Sequence, residues 1–479
     1  MVTQSAALDL ASEVDQMINH PSDYFHRSDS EVHSIPPDRL EAMTLLGLQQ
    51  RFGELRDRVP ILKKLADEQH VDEIREVDDV VPLMFAHPVY KSYPISLLEK
   101  NRFGLLTKWL QKLTTVDLSE VDVSGCEGID DWIGAMDAQT ELRIRHSSGT
   151  TGHLTFIPRT VHEADRHFYS MVIGTCDPAG LRVPTPELPL DMHAVIPQFR
   201  SGYGAILRSN DYYATAVAGG DPARQHFLYP GHQSSDLMFL AGRLRAAEAL
   251  GEVQNLNLSP RLLARRPEFE ALAKSQPADI KAFYQTVAEQ LRGERVYAFG
   301  TWNVLYNFAA AGLKNGVSGV LASESIVSTG GGAKGQYVPP DWREQIAEFF
   351  GVPRLVQNYG MTEIMGAPKL CPGQRFHFEP WTIPFVLDPD TGAPLPRRGT
   401  QTGRAAFFDL LADTYWGGFV SGDEVTVEWD ELCECGRLTV HMSPQIERYS
   451  QQRGGDDKIT CAAAADAHDA ALSYLNEAL

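Results

Sequence analysis

The sequence predicts an α/β protein with a large core and a smaller β-rich part that follows it. Short apolar runs at residues 193–196, 296–300 and 318–321 alternate with stretches of helical spacing, which is the pattern of strands separated by helices. After Gly366, Pro and Gly become dense and Val, Phe, Trp and Thr dominate, as is typical of short strands joined by tight turns. With 479 residues the chain is long enough for a large core in two or three structural units.

The order of these patterns divides the chain into four predicted parts. Residues 1–36 are polar and acidic with little periodicity, which predicts a flexible arm. Residues 37–366 are predicted to form the α/β core, which opens with helical spacing from residue 39 to about residue 67. Residues 367–450 are the predicted β-rich subdomain, and residues 451–479 are a polar hinge with a short Ala-rich helical tail.

Composition excludes several classes of function. A formal net charge of −20 argues against nucleic acid as the main partner, because binding a phosphate backbone needs clustered Lys and Arg. A nucleotide stays possible, since a few local groups can hold one. No apolar run reaches membrane-spanning length, and the N-terminus lacks the apolar core of a signal peptide. With six unevenly spaced cysteines, the composition predicts a cytoplasmic protein with reduced thiols and no membrane insertion.

A run of hydroxyl residues and glycines is the strongest local indication of function. It consists of Ser147, Ser148, Gly149, Thr150, Thr151 and Gly152. Four hydroxyls supply donors, and the glycines let backbone N–H groups approach an anion. The spacing fits neither the phosphate loop of Walker type nor the three-glycine dinucleotide fingerprint. The alternative is an ordinary turn between two strands, so other segments must decide.

Three further segments follow in order. Gly331, Gly332 and Ala333 belong to a glycine run whose flat backbone suits a planar ring or a phosphate. Next, Tyr359 and Gly360 precede Thr362 and Glu363, which offer in turn an aromatic ring, a hydroxyl and a carboxylate able to bind Mg²⁺. Finally, Asp423 follows a tight turn, where its carboxylate suits the two hydroxyls of a ribose.

The order and spacing of these segments resemble the adenylate-forming superfamily, which includes acyl-CoA synthetases, peptide-synthetase adenylation domains and luciferases. Within it, the chain is most similar to the phenylacetate–CoA ligase branch, and closer still to the acyl-protein synthetases of bacterial luminescence. Residues 85–94, 156–160 and 455–461 support the closer likeness. The resemblance extends from about residue 39 to residue 461.

This resemblance implies a fold of mixed sheets with flanking helices and a small β-rich subdomain, in which the mobile C-terminal domain is reduced to a short tail. It implies that ATP and a carboxylic acid give an acyl-adenylate and pyrophosphate. Ser147 to Thr151 would then wrap the outer phosphates, Tyr359 would stack on adenine beside Gly331 and Gly332, and Thr362 would touch the α-phosphate. Glu363 would hold Mg²⁺ and Asp423 the ribose. The resemblance also implies assisting cations and an acyl pocket, for which the candidates are Arg437, Arg453, Tyr203, Gly300 and Thr301.

Two departures from the superfamily affect catalysis. Many relatives carry Pro-Lys after the phosphate loop, where this chain has Leu154 and Thr155. The lysine of the usual C-terminal domain also has no clear counterpart. Lys458 is one candidate replacement, and the alternatives are a group supplied by a partner protein or a slow or lost adenylation step.

Four residues form a candidate metal site: Cys371, His377, Cys433 and Cys435. Three thiolates and one imidazole suit a tetrahedral structural zinc ion. The alternative is three free thiols that are partly buried.

Cys461 lies alone beyond the hinge. Acyl-protein synthetases use a cysteine near the C-terminus to accept the acyl group, so the resemblance makes Cys461 a candidate nucleophile. The alternative is an unremarkable small residue on an Ala-rich helix.

The sequence therefore predicts an enzyme that activates a fatty or aryl acid with ATP and passes the acyl group to a thiol. The thiol is either Cys461, that of an acyl-accepting protein or that of coenzyme A. The rivals are a coenzyme A ligase of phenylacetate type, a ligase that uses a nitrogen nucleophile, and a non-catalytic binding protein.

Overall fold

The structure is a computed structural model that describes residues 4–147, 153–251, 260–332, 337–449 and 474–475. The chain divides into two compact units. Unit 1 comprises Met1–Arg145, Leu154–Met171 and Met361–Leu479, and unit 2 comprises His146–His153 and Val172–Gly360. No helix within these described ranges combines the length and the apolar character needed to cross a membrane.

Helices occupy much of both units. Within the described residues they are α1 (Gln4–Asn19), α2 (Pro21–Tyr24), α3 (Asp29–Val32), α4 (Pro37–Leu55), α5 (Pro60–Glu68), α6 (Ser96–Glu99), α7 (Phe103–Gln111), α8 (Ile129–Gln139), α9 (Val161–Cys176), α10 (Asn210–Tyr212), α11 (Ser235–Leu250), α12 (Pro260–Ala264), α13 (Arg266–Gln285), α14 (Trp302–Lys314) and α15 (Trp342–Phe350).

The strands concentrate in the second half of the chain. They are β1 (Phe85–Ala86), β2 (Arg145–His146), β3 (Phe156–Ile157), β4 (His193–Gly202), β5 (Gln225–Gln233), β6 (Val296–Thr301), β7 (Ile326–Gly330), β8 (Val356–Asn358), β9 (Lys369–Leu370), β10 (Phe376–His377), β11 (Thr382–Leu387), β12 (Thr400–Asp409), β13 (Gly418–Glu428), β14 (His441–Met442) and β15 (Glu447–Arg448).

The N-terminal segment differs from the flexible arm that the sequence predicted. Helices α1 to α3 occupy most of residues 4–32, and Val14, Met17 and Ile18 are almost completely buried. Polar contacts add to this packing, since Gln50 on α4 donates to the Asp15 carboxylate at 2.9 Å. The apolar residues of α1 follow helical spacing among many polar ones, which the low overall hydropathy of the segment concealed.

The helical stretch predicted from residue 39 to about residue 67 is interrupted. It forms α4 and α5, and Pro60 begins α5 at the first helical position. Proline is favoured there because its missing N–H has no partner inside the helix.

Unit 1 contains an antiparallel sheet in the order β11-β12-β13-β14-β10-β9, with β1 and β15 also pairing with β13. Its core includes the Phe408 and Trp416 rings, which meet edge to face at 4.7 Å. The Trp416 indole donates to the carbonyl of Leu83 at 2.8 Å. The sheet belongs to the region predicted to be β-rich.

Unit 2 contains a parallel sheet in the order β8-β7-β6-β4-β5. Helices α14 and α15 connect β6, β7 and β8 and bury an apolar cluster that includes Trp302, Ile346 and Phe349. One predicted strand is wrong: residues 318–321 form no strand, and β7 begins at Ile326 instead. The carboxyl ends of parallel strands are where ligands bind in such sheets, and β6, β7 and β8 end at Thr301, Gly330 and Asn358.

Candidate nucleotide site and metal centre

The loop that follows Met361 in unit 1 carries Thr362 and Glu363, and a buried arginine holds it. The guanidinium of Arg159, 1% exposed, donates to the Thr362 carbonyl at 2.9 Å and to the Tyr415 hydroxyl at 3.1 Å. The position of Arg159 is fixed locally, because the next residues begin α9 with reciprocal bonds between Thr160 and Glu163. The backbone that carries Thr362 is therefore fixed by a side chain distant in sequence.

Two further side chains hold the same loop. The Asp409 carboxylate accepts hydrogen bonds from the backbone N–H groups of Met365 and Gly366. A ring nitrogen of His167, Nδ1, lies 2.9 Å from the Met365 carbonyl. Desolvation, with nearby cations led by Arg159, lowers the His167 pKa well below its ordinary value, so the neutral ring donates through Nδ1–H. None of these three contacts was predicted from the sequence.

Glu363 is half-buried within a cationic environment. Burial raises the pKa of its carboxyl group, and Arg159, Lys91 and Arg448 oppose that rise. A bound metal ion would add to these cations in favouring the ionised form, which offers oxygen ligands.

Asp423 lies on β13 with its side chain 11% exposed. Its backbone N–H donates to the Ser421 hydroxyl at 3.1 Å. The Arg448 guanidinium donates to its Oδ1 at 3.1 Å. Arg448 thus contacts the carboxylate that the sequence predicted to hold the ribose. The sequence analysis missed Arg448 because no motif surrounds it.

Arg437, predicted to assist at the nucleotide, makes a different contact. Its guanidinium pairs with the buried carboxylate of Asp29 on α3. The backbone N–H of the next residue, Leu438, donates to the carbonyl of His33 at 2.9 Å. The structure therefore gives Arg437 a role within unit 1, where it fixes α3 to the segment that follows Cys435.

In unit 2, the predicted glycine run lies at the carboxyl end of β7. Gly331 has a φ of +95°, which favours glycine. A Cβ on Gly330 would lie 2.8 Å from the Asn358 carbonyl oxygen, so a side chain there would collide with backbone. The Trp302 indole donates to the Gly332 carbonyl at 3.4 Å. Thr301 lies next to this glycine: a Cβ atom added to Gly331 would be 3.6 Å from the Cγ2 atom of Thr301.

Asn358, immediately before Tyr359, is a polar residue that the sequence analysis did not single out. Its amide nitrogen donates to the Ser328 hydroxyl at 2.8 Å and to the Thr329 carbonyl at 3.3 Å. Its Oδ1 and the Oγ1 of Thr329 are buried and have no hydrogen-bond partner among the described residues. Unpartnered buried polar atoms are rare in folded proteins, and these two lie where parallel strands end.

The start of the predicted phosphate loop is described only at Ser147. The neighbouring His146 ring lies 3.0 Å from the Ser235 hydroxyl, and its backbone N–H donates to the carbonyl of Tyr203 at 3.1 Å. Tyr203, a predicted acyl-pocket residue, thus lies beside the start of this loop within unit 2. Nine predicted site residues lie outside the described residues: Ser148, Gly149, Thr150, Thr151, Gly152, Ala333, Arg453, Lys458 and Cys461.

The four predicted metal ligands come together in unit 1. The ligand atoms of Cys371, His377, Cys433 and Cys435 all lie within 4.8 Å of one another. The Cys371 and Cys433 sulfurs are 3.6 Å apart, and the Cys435 sulfur is 3.3 Å from Nε2 of His377. Metal binding by this group stays a prediction.

The surroundings of the cluster suit a metal with soft ligands. His377 Nδ1 lies 3.1 Å from the carbonyl of Thr439, which fixes the tautomer and leaves Nε2 facing the thiols. Burial lowers the pKa of His377 to about 3 and raises that of Cys435 to about 12. The imidazole is therefore neutral, as a ligand must be, whereas the thiol needs a cation to ionise.

Comparison with known proteins agrees with this architecture. No model of a known protein family matches the chain. Its sequence is 24% identical over 432 residues to phenylacetate–coenzyme A ligase of Thermus thermophilus, covering 87% of this chain and 72% of that protein. Its fold is similar to an open conformation of 2-hydroxyisobutyryl-CoA ligase in complex with 2-HIB-AMP and CoA, with a TM-score of 0.50. The two sequences are 14% identical, and the match covers 88% of this chain and 72% of the ligase chain.

The mixed α/β fold is similar to the fold of this CoA ligase, and it has the fold class that the sequence predicted. The sequence similarity to a phenylacetate–coenzyme A ligase agrees with the resemblance that the motifs indicated. The closer likeness to acyl-protein synthetases stays a prediction.

Proposed function

We propose that this protein is an acid–thiol ligase, which activates a fatty or aryl carboxylic acid with ATP and then transfers the acyl group to a thiol. The observation that carries the proposal is in unit 1, where the side chains of Arg159, His167 and Asp409 hydrogen-bond to the backbone of the loop that bears Thr362 and Glu363. The similarity to an acid–CoA ligase over most of the chain supports the same reaction class.

The reaction needs positioning and charge neutralisation more than a general base. A carboxylate oxygen of the acid attacks the α-phosphorus of ATP, and the bond to the β-phosphate oxygen breaks to release pyrophosphate. A thiolate then attacks the acyl carbon, a thioester forms and AMP leaves. Each step exchanges one leaving group for one nucleophile, so no oxidant is required. The hydroxyl of Thr362 serves the α-phosphate and Asp423 the ribose hydroxyls.

Mg²⁺ would be held at Glu363, since the cation prefers oxygen ligands and Glu363 follows Thr362 directly on the same loop. The metal would neutralise phosphate charge. The outer phosphates themselves are assigned to residues 147–151, of which only Ser147 is described.

In unit 2 we assign the base to the carboxyl ends of β7 and β8. The unpartnered Oδ1 of Asn358 can accept a hydrogen bond from the adenine amine. Gly331 and Gly332 leave backbone open for a flat ring, and Tyr359 supplies the aromatic face. The acid is assigned to the neighbourhood of Tyr203, Gly300 and Thr301.

The acceptor thiol has two candidates. Coenzyme A is supported by the similarity to phenylacetate–coenzyme A ligase. Cys461 would instead make the enzyme an acyl-protein synthetase that serves an acyl-accepting partner, with Lys458 as the cation for the first step; both lie outside the described residues.

The experiment is a mass-spectrometric screen for acyl-adenylate and pyrophosphate across fatty and aryl acids, with MgATP and the full-length chain. Formation of an acyl-adenylate with at least one acid supports the proposal. Nucleotide binding without turnover for every acid would instead favour a non-catalytic binding protein. Adding coenzyme A, and separately testing Cys461→Ser, distinguishes the acceptors, because that substitution abolishes covalent acyl labelling only if Cys461 carries the acyl group.

We also propose that Cys371, His377, Cys433 and Cys435 bind a structural zinc ion. Three sulfurs and one nitrogen complete a tetrahedral set, and the grouping of their ligand atoms within 4.8 Å supports it. With four protein ligands the ion would have no open position, so its role would be to hold β10 to the 433–435 turn.

A further inference from the structure

Arg448 occupies a defined position opposite Asp423. Strand β15 pairs antiparallel with β13, and the two residues are partners in the register. The Arg448 Nε–H donates to Asp423 Oδ1 at 3.1 Å, yet the arginine side chain is 59% exposed whereas that of Asp423 is 11% exposed. This bond uses one of the five N–H donors of a guanidinium, and most of the group is open to solvent.

Asp423, to which this guanidinium is bonded, is the carboxylate that the proposed function assigns to the ribose hydroxyls. In a nucleotide the α-phosphate is bonded to the ribose through the 5′ oxygen, so a cation bonded to Asp423 lies near the position that the α-phosphate would take. A planar guanidinium with donors to spare is well suited to phosphate oxygens.

We propose that Arg448 is a phosphate-binding residue, which donates to the α-phosphate of the bound nucleotide while its Nε–H orients Asp423. The inference rests on the proposed function and adds to it a cation that the sequence motifs did not contain. Because the α-phosphorus is the atom attacked in the first step, the same contact neutralises charge that develops there.

A series of ligands that differ only in phosphate tests this role. Adenosine, AMP and ATP with Mg²⁺ are titrated calorimetrically into the full-length wild-type chain and into Arg448→Gln and Arg448→Lys. The matched control is Arg398→Gln, which makes the same substitution at an exposed residue of the loop before β12. Since Arg448 is largely exposed, its substitution is expected to leave the fold intact.

The expected result is a loss of about tenfold or more in affinity for AMP and ATP in Arg448→Gln, because a charge-assisted hydrogen bond is removed. Adenosine affinity should change less than about twofold, Arg448→Lys should recover part of the loss, and the control should match wild type. An equal loss for adenosine would overturn the inference, since Arg448 would then act only through Asp423. Unchanged AMP affinity in Arg448→Gln would also overturn the inference about Arg448, but it would leave the proposed function standing. A wild-type chain that binds no nucleotide would contradict both the inference and the proposed function.

Discussion

The guanidinium of Arg159 donates a hydrogen bond at 2.9 Å to the backbone carbonyl of Thr362, 203 residues further along the chain. A second donor of the same guanidinium reaches the Tyr415 hydroxyl. A buried cation therefore fixes the backbone of the loop that presents Thr362 and Glu363. Catalysis that depends on positioning should be sensitive to this contact even though Arg159 is too buried to meet a ligand.

Replacing Arg159 with Gln should lower the rate constant of adenylation about 10- to 100-fold, because a small displacement of a positioning group has that effect. The apparent KM for ATP should change less. Arg159→Lys should restore part of the rate, since lysine can still donate to the Thr362 carbonyl. The measurement is ATP–pyrophosphate exchange with the acid that gives most turnover.

The control is Arg166→Gln, which removes another buried arginine of the same region, one that pairs with Asp413. It should reduce stability while leaving the rate constant of the folded fraction near that of wild type. Equal losses of rate in both variants would show that the effect at Arg159 is general destabilisation.

A buried ion pair joins β9 to the segment after β10. Lys369 Nζ lies 3.2 Å from the Glu379 carboxylate, and the side chains are 5% and 2% exposed. Lys369→Met should lower the free energy of unfolding by about 3–5 kcal/mol, because it leaves Glu379 charged and buried. The double variant with Glu379→Leu should recover most of the loss. Urea unfolding of both variants measures this, and a double variant no more stable than the single one would contradict it.

The stability of unit 1 should fall as the pH decreases below about 6.5, the ordinary pKa of histidine. Burial lowers the pKa of His167 well below that value, so in this range the unfolded chain binds a proton that the folded chain does not. The linkage relation then gives a loss approaching about 1.4 kcal/mol per pH unit from this residue.

His167→Asn should flatten the dependence of unfolding free energy on pH between pH 6 and pH 5 by about that amount. The matched control is His26→Asn, which makes the same substitution at an exposed histidine of the same unit. Unfolding curves at closely spaced pH values provide the measurement, and identical slopes for wild type and His167→Asn would refute the assignment.

If the Cys/His cluster binds zinc, the purified full-length chain should contain about one zinc ion per molecule. Removing it with a strong chelator, or replacing Cys435 with Ser, should lower the melting temperature by several degrees, because the ligands stabilise the fold only when cross-linked by the ion. Elemental analysis and thermal unfolding measure the two effects. Cys126→Ser, at a cysteine outside the cluster, serves as the control and should keep the full zinc content.

The sequence was informative where function depends on short contiguous motifs. The glycine run around Gly331 and the residues near Tyr359 directly follow β7 and β8. The side chains of the four candidate metal ligands lie close together, and Cys and His at turn-rich positions are a distinctive signal; metal binding itself stays a prediction.

Other parts of the site could not be predicted in this way. The Thr362 loop is held by the side chains of Arg159, His167 and Asp409, which lie 44 to 203 residues away from their partners in the sequence. Such contacts depend on the tertiary fold and leave no local pattern in the sequence. Arg448 was missed for the same reason, since only the pairing of β15 with β13 reveals it. The helices of residues 4–32 were missed because their apolar stripe is narrow.

The most direct test of the proposed function is the ATP-dependent formation of acyl-adenylate and pyrophosphate by the full-length chain, compared with Asp423→Ala. We predict that wild type forms both products with at least one fatty or aryl acid and that Asp423→Ala loses most of this activity while remaining folded. Absence of both products across the whole panel, from a folded wild-type chain that binds MgATP, would contradict the assignment.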